Sequence, residues 1–332
     1  MLKIRHFLRG NAAMYTSKNS ELEIVSHSFS GYEILLSHMF YSAPHYHKDI
    51  EICYLLSGNI SHIVPGQTFF PKEGDIWITN SFQVHEVIPE SSIYLLVLQF
   101  PPSLFSSYFP KIENIIFSQT PLSPSSNYYP LIHDLLLEIA KIGFQEKENS
   151  VLYSVGLINI LLNTFLKAVP CKLVTDAEKS SMRSKTKRIH RITSYIDEHY
   201  TQKLLLSDIA ESENLSLYYL SHFFKDTLNM TFQEYLAKKR SERARELLLQ
   251  TNYSLLDISM ACGFSDLKYL QSSFQKYYGC TPKDYKSTHN NNVIFTNPAD
   301  AVSTEELLTF SDALKALDEL TSPLLDIAGL FA

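Results

Sequence analysis

Between about Ile24 and Phe100 the chain alternates short apolar runs with turn signals, as in "YEILLSHMF", "IEICYLLSG", "SHIVPG", "GDIWIT" and "SIYLLVLQF". Gly58, Pro65-Gly66 and Lys72-Glu73-Gly74 punctuate these runs. Many short β-rich runs at close spacing predict a small barrel or sandwich over residues 20–100. The period then lengthens. "YYPLIHDLLLEIAKIGF" (128–144) and "SVLYSVGLINILLNTFLKAV" (150–169) carry apolar residues at helical spacing. Residues 101–170 are therefore expected to be a helical docking or dimerisation region. These helices either cover an open face of the sheet or pair with a second copy of the chain, and their leucine excess favours a homodimer. Residues 171–186, "CKLVTDAEKSSMRSKT", are polar without an apolar period and read as a linker.

From Lys187 to about residue 290 the pattern is helical and repeated. "LSDIAESENLSLYYLSHFFKDTLNMTFQEY" (206–235) aligns with "LLDISMACGFSDLKYLQSSFQKYYGCTPKDY" (255–285). Ile209 matches Ile258, and Leu215 matches Phe264. After one inserted residue Tyr219 matches Tyr269, Phe224 matches Phe274 and Thr231 matches Thr281. Each copy reads helix, short turn, helix, about 206–228 and 255–278. Leu215 and Phe264 plug the two turns, and Gly263 suits a backbone position with positive φ. Ser216 and Ser265 are expected to cap the second helix of each copy. One helix, "FQEYLAKKRSERARELLLQ", bridges the copies. This is the helix-turn-helix plan, whose second helix is built to enter a DNA major groove.

Residues 187–290 resemble the DNA-binding domain of the AraC/XylS family of bacterial transcription regulators. The resemblance rests on "RITSYIDEHY", "LSDIAES", "YLSHFFK", "EYLAKKRSERARELL", "CGFSD" and "FQKYYGCTPKDY". It implies two helix-turn-helix units entering successive major-groove segments of double-stranded DNA. The first reading helix then offers Ser216, Leu217, Tyr218, Ser221, His222 and Lys225. The second offers Ser265, Asp266, Lys268, Gln271, Ser272, Gln275 and Lys276. Lys225, Lys238, Lys239, Arg240 and Lys283 are expected on phosphates. The family often carries Arg where this chain has His222 and Ser272. Without Arg the bidentate reading of guanine is lost, while Gln pairs with adenine and Leu217 meets thymine methyls, so an A·T-leaning site is expected.

In the barrel region, "PHYHKDIEICYLLSG" supplies His45, His47 and Glu51, and "EGDIWITNSFQVHEV" supplies Trp77 and His85. Side chains alternate along a strand, so positions 45, 47 and 51 share a face. The spacing resembles the cupin barrel, which precedes the DNA-binding pair in AraC-like regulators and holds a small effector, often a sugar. His45, His47, Glu51, Trp77 and His85 are accordingly the candidate effector contacts. Trp77 with Tyr41, Tyr46 and Tyr54 would stack on the effector or fill the core. No cofactor is expected; were a metal bound, His45, His47, Glu51 and His85 would be its ligands. Met39, Asn80 and Phe82 depart from the enzyme-type cupin motif.

Charge sharpens this division. The whole chain is acidic, net -6. Residues 1–182 carry net -4, residues 183–290 net +4 and residues 291–332 net -6. Only the repeated block is basic, as a polyanion partner requires. The acidic tail contains "STEELLTFSDALKALDEL", read as an amphipathic helix opened by a capping box of Ser303 and Glu306, with Leu307, Phe310, Leu314 and Leu317 on one face. Its negative charge offers a mask for the DNA-binding surface until moved; docking on its own protein is the simpler expectation. The four cysteines form no CxxC pair, as fits a reducing compartment. No apolar run is expected to cross a bilayer, and the basic start, "MLKIRHFLRGNAAMYTSKNS", has no apolar core for a signal peptide.

The expected fold is thus α+β and multidomain: a cupin-like β-barrel with following helices, then an all-α double helix-turn-helix domain. The expected function is a cytoplasmic transcription regulator and not an enzyme, an activator that binds DNA, a small effector and RNA polymerase. The alternatives are a metal-dependent cupin enzyme with a helical appendage, and a regulator acting through protein contacts.

Overall fold

The computed structural model describes residues 13–15, 22–23, 31–145, 150–289 and 304–321. The basic start "MLKIRHFLRG", the connector at 291–303 and Ser303 lie outside the described residues. The chain divides into two compact units. One holds the described residues up to Thr186 together with 304–321, and the other holds 187–289.

The first unit is built on antiparallel strands. These are β1 (Ala13–Tyr15), β2 (Leu22–Glu23), β3 (Glu33–His47), β4 (Ile50–Ser57), β5 (Ile60–Val64), β6 (Gln67–Phe69), β7 (Ile76–Thr79), β8 (His85–Pro89) and β9 (Ile93–Phe100). The main sheet runs in the order β6-β5-β8-β3-β9-β4-β7. Among the described residues only the short β2 pairs in parallel, with the end of β3. After two short 3-10 turns come β10 (Ile115–Phe117), α1 (Tyr129–Gln145), α2 (Ser150–Ala168) and β11 (Cys171–Leu173), which pairs with β10.

Period-two alternation divides the sheet into two faces. Ile50, Ile52, Tyr54 and Leu56 of β4, with Leu96, Leu98 and Phe100 of β9, pack against Leu135, Leu136, Leu161 and Phe165 of the helices. Their alternates Cys53, Leu55, Leu95, Val97 and Trp77 form a separate interior cluster with Met39 and Ile60. Helices α1 and α2 therefore cover one face of the sheet. Helix α2 corrects one expectation: by length and composition it is apolar enough to cross a membrane. Its Leu157, Ile158, Leu161, Leu162 and Phe165 are instead buried in this core.

The segment 171–186, expected as a linker, is β11 followed by the first half of α3 (Asp176–His199). Here capping replaces the missing apolar period. Thr175 N–H donates to Glu178 at 2.7 Å, and Glu178 N–H donates to the Thr175 hydroxyl at 3.2 Å, closing a capping box. Lys179 Nζ pairs with Glu113 at 2.8 Å.

The second unit contains the C-terminal part of α3, then α4 (Leu206–Ser212), α5 (Leu217–Leu228), α6 (Phe232–Gln250), α7 (Leu255–Ala261), α8 (Leu267–Tyr278) and α9 (Pro282–His289). Among the described residues this unit is helical throughout. Asn214 and Gly263 occupy matching turns with φ of 53° and 79°. A Cβ at Gly263 would lie 2.6 Å from the Thr201 carbonyl oxygen, so both backbone angle and space demand glycine. The helix ends repeat as well. Asn229 and Gly279 take the left-handed cap conformation. Thr231 closes a capping box with Glu234 on α6, and at α9 the Thr281 hydroxyl donates to the Asp284 carboxylate and accepts from the Asp284 N–H.

The chain then returns to the first unit. Strand β12 (Thr304–Leu307) pairs antiparallel with β3, with Leu307 opposite Ser37, and also with β1. Helix α10 (Phe310–Leu320) follows, capped by Thr309, whose hydroxyl accepts from Asp312 N–H. The expected capping box at Glu306 is thus corrected: Glu306 lies in a strand, and the helix starts four residues later. Leu307 is buried in the interior cluster with Trp77, whereas Ala313 and Leu317 are buried in the helix-covered core. The described part of the tail, 304–321, docks on its own protein, as the simpler expectation had it.

Candidate nucleic-acid interface and effector site

Each second helix of the repeat buries one face and presents the other. On α5, Leu220, Phe223, Phe224 and Leu228 are buried. Leu217, Tyr218, Ser221, His222 and Lys225 are exposed and form a stripe at i, i+4 spacing. On α8, Leu270 and Phe274 are buried, while Lys268, Gln271, Ser272, Gln275 and Lys276 are exposed. Two matched aromatics flank these stripes unanticipated: Tyr219 and Tyr269 are both exposed. The repeat pairs them in the sequence, which gives neither a role.

Three expected contacts have local tasks. Ser216 caps α5 by accepting from Tyr219 N–H at 3.1 Å. On α8 the cap is Asp266, not Ser265: its carboxylate accepts from Tyr269 N–H at 2.9 Å. The residue inserted in the second copy shifts the cap by one, leaving Ser265 exposed in the turn. Lys276 Nζ bonds Glu234 at 2.9 Å; the Thr231 backbone N–H, first, and then this lysine hold the Glu234 carboxyl down to about 2.

The largest correction concerns the basic run on α6. Lys239 is buried, with Nζ 3.5 Å from Asp197 and 3.7 Å from Glu242. Burial opposes its charge, but Asp197, Tyr235 and Glu242 outweigh that cost and raise its pKa. Its ammonium is spent inside the unit, so Lys239 is no phosphate contact. Arg240 donates to the Tyr200 and Gln202 carbonyls at 2.8 and 2.9 Å and fastens the turn after α3. Lys238 is half-buried, whereas Lys225 and Lys283 are exposed. Helix α6 has 19 residues. At about 1.5 Å per residue it spans roughly 28 Å, close to one DNA turn of about 34 Å.

In the first unit the interior gathers the predicted histidines. Strand register sets His45 opposite His85, and Glu51 opposite both Thr79 and Gln99. The ligand atoms of His45, His47 and His85 lie within 4.8 Å of one another. Glu51 reaches into the same place. Its oxygens are 3.2 Å from His47 Nε2 and 3.5 Å from His85 Nε2. Gln99 Nε2 donates to Glu51 at 2.6 Å and the Cys53 thiol at 3.2 Å. Burial alone would raise the Glu51 pKa, but the two histidines outweigh it and hold the carboxyl well below the usual range.

The opposite edges of both rings fix their tautomers. His47 Nδ1 is 2.9 Å from the Asp49 carbonyl, and His85 Nδ1 is 3.0 Å from the Gln83 carbonyl. A carbonyl accepts only, so each Nδ1 must donate. Each Nε2 then turns a lone pair toward the Glu51 carboxylate if the ring is neutral. Lone pairs facing an anion repel it, so the arrangement is completed by positive charge: protons on the rings or a cation among them. His85 Nε2, buried, makes no hydrogen bond of proper geometry. Imidazole and carboxylate donors with carbonyl-anchored Nδ1 groups fit a first-row divalent cation.

Trp77 lies beside this centre, paired in register with Cys53. Tyr54 faces the helices instead and is not an interior contact. Tyr46 packs near Phe82, with ring centroids 6.4 Å apart. Three interior residues were not anticipated. His62 is buried, its ring 5.4 Å from Trp77 and 6.0 Å from His85. Burial pushes its pKa down to about 3. The alternation in "ISHIV" assigns it to the interior with Ile60 and Val64. Gln99 follows from the same alternation as Leu95 and Val97. Gln119 is buried from an irregular segment, and no pattern announced it.

Comparisons with known proteins agree with this division. Residues 33–155 match the family described as AraC-like ligand binding domain, and residues 209–288 match a helix-turn-helix domain family. The HTH-type transcriptional activator RhaR of Mannheimia succiniciproducens is 24% identical over 272 residues, 80% of this chain and 97% of that protein. The melibiose operon regulatory protein of Escherichia coli K12 is 32% identical over 98 residues, 30% of this chain and 32% of that protein. Among solved structures, the C-terminal domain of the response regulator yesN from Fusobacterium nucleatum is 40% identical, with a TM-score of 0.29. It spans 30% of this chain and 98% of that domain. An interior lined with histidines and a carboxylate, in a segment that matches an AraC-like ligand binding domain, precedes a duplicated helix-turn-helix unit in one chain: the protein belongs to the AraC/XylS family of effector-responsive, DNA-binding transcription regulators.

Proposed function

We propose that this chain activates transcription in response to a small effector held at the His45, His47, Glu51 and His85 centre. It acts by binding and not by turnover. The observation that carries this reading is the convergence of two carbonyl-anchored imidazoles on one buried carboxylate. Such a set is costly to bury unless something completes it. Effector binding shifts the reader between two arrangements by its differential affinity for them. Exposed side chains of α5 and α8, from Leu217 to Lys276, meet base edges in an A·T-leaning site, with Lys225 and Lys283 on phosphate. RNA polymerase is the partner through which the bound regulator acts. The exposed N-terminal turn of α2, with Leu152 and Tyr153, is the face for a second copy. The relative named as the melibiose operon regulatory protein supports a sugar-like effector.

Selection of bound duplexes from a random pool tests the reader. Recovered sites should be A·T-leaning, and affinity should fall steeply with salt. Recovery of G·C-rich sites, or no enrichment, would overturn that assignment. A second reading of the centre is favoured by the tautomers: a divalent cation is itself the effector or its anchor. His45, His47, His85 and Glu51 would hold it, and the ion would supply the positive charge that the lone pairs and carboxylate call for. Elemental analysis of untagged protein prepared without chelator decides between ion and protons.

A further inference from the structure

Seven interior polar atoms have no hydrogen bond of proper geometry among the described residues, and they cluster beside the histidine–carboxylate centre. They are both ring nitrogens of His62, Trp77 Nε1, Thr79 Oγ1, His85 Nε2, Gln99 Oε1 and Gln119 Oε1. Buried polar atoms are nearly always satisfied, and each exception asks for a reason. Here the exceptions are contiguous. His62 lies between Trp77 and His85, with ring centroids at 5.4 and 6.0 Å. Thr79 and Gln99 each sit opposite Glu51 in register. The Gln119 amide is close enough to act on the His62 charge, yet forms no bond of proper geometry with it. His62 is 1% exposed, Trp77 1% and Gln119 6%.

We propose that His62, Trp77 and Gln119 form a second wall of the effector site and select a neutral, hydroxyl-bearing end of the ligand over a carboxylate. This rests on the effector reading of the centre given above, and it adds the residues that decide specificity. The donor and acceptor inventory carries it. A neutral imidazole offers one N–H donor and one lone-pair acceptor. The indole offers a donor alone, and Gln119 Oε1 an acceptor alone. A ligand group that answers all three must both donate and accept, which a hydroxyl does and a carboxylate does not. No Lys or Arg side chain belongs to this set, and the positive charge at the adjoining centre already faces the Glu51 carboxylate, so a ligand carboxylate would add a second anion and face acceptor atoms. Adjacent hydroxyls on one molecule would satisfy several of these atoms together. A site built to hydrogen-bond a hydroxyl rejects analogues that leave its own polar groups unpaired.

The test uses the full chain and matched probes: neutral aldoses and polyols, and the sugar acids of the same carbon skeletons, titrated calorimetrically. At least one neutral probe should bind, and its acid at least tenfold more weakly. His62→Phe should weaken the neutral probe at least tenfold and narrow the difference between probe and acid. His62→Gln, which keeps a donor and an acceptor, should recover part of the loss. Thermal unfolding of both variants checks that the unit is folded; if His62→Phe is not, the His62→Gln and Gln119→Leu pair carries the same comparison. Binding that needs Glu51 but is indifferent to His62 and Gln119 would overturn this inference and leave the effector centre standing. Preference for the acids would also overturn it. If no probe binds wild type or Glu51→Gln protein, the sugar-like effector reading and this inference fall together.

Discussion

Each unit buries a charge, and the two are treated differently. In the reader, Lys239 sits between Asp197 and Glu242 with Tyr235 donating to Asp197 at 3.3 Å. Opposite charges meet, and the arrangement is complete in itself. In the first unit, Glu51 meets two imidazoles whose far edges are already committed as donors to carbonyls. Positive charge is still owed there, and orphaned polar atoms surround it. A buried charge with its partner in place is architecture. A buried charge flanked by unsatisfied polar atoms such as His85 Nε2 and Trp77 Nε1 is a site that something else finishes.

The largest expected effect breaks the architectural half of this contrast. Lys239→Met leaves Asp197 buried without its cation, so the reader should lose about 3–5 kcal/mol by chemical denaturation. Pairing it with Asp197→Leu should recover most of the loss. A neutral single variant would mean that the ammonium is not integral.

The next effect belongs to His62. Its folded pKa is about 3 against an ordinary 6.5, so the unfolded chain binds a proton that the folded chain refuses. The stabilisation is present above about pH 6.5 and is lost as pH falls toward 3. The slope is about 1.4 kcal/mol per pH unit at most. Unfolding of the first unit followed against pH should show this loss, and His62→Phe should flatten it.

Two smaller changes probe the reader's backbone plan. Gly263→Ala adds strain at φ 79° and a contact on Thr201, for an expected loss of about 1–3 kcal/mol in a melt of the reader. Asp266→Ala should cost about 1 kcal/mol as a lost cap, and Ser265→Ala a few tenths at most. The reverse ranking would restore Ser265 as the cap.

The same contrast explains what the sequence made legible. The reader was visible because its copies share caps, plugs and glycine or asparagine turns at fixed offsets. Half of the four-residue centre was visible because strand alternation sends His45 and His47 of β3 to one face; Glu51 came from the cupin-like spacing, and the structure carries it on the next strand, β4, not on the same one. Lys239 was misread because a lysine in a basic helical run looks solvated, and its anion, Asp197, lies 42 residues earlier on another helix. The helix at 176–186 was missed because polar capping and helix-favouring residues, not apolar spacing, form it. Strand β12 was missed because "STEELL" has a helix-start pattern, while its partner strand β3 is remote in sequence and wins by burying Leu307. Gln119 reaches the interior from a loop, where no period operates.

The most direct test of the central claim is a DNA-binding titration on one selected duplex, comparing wild type with Glu51→Gln. Each is measured alone, with zinc, and with each neutral aldose of the panel. Without probes the two proteins should bind the duplex equally. At least one probe should shift the wild-type dissociation constant about fivefold or more, a usual size for coupling between sites, and should leave Glu51→Gln unmoved. An equal response in both proteins, or none in either, would contradict a buried centre that governs the reader.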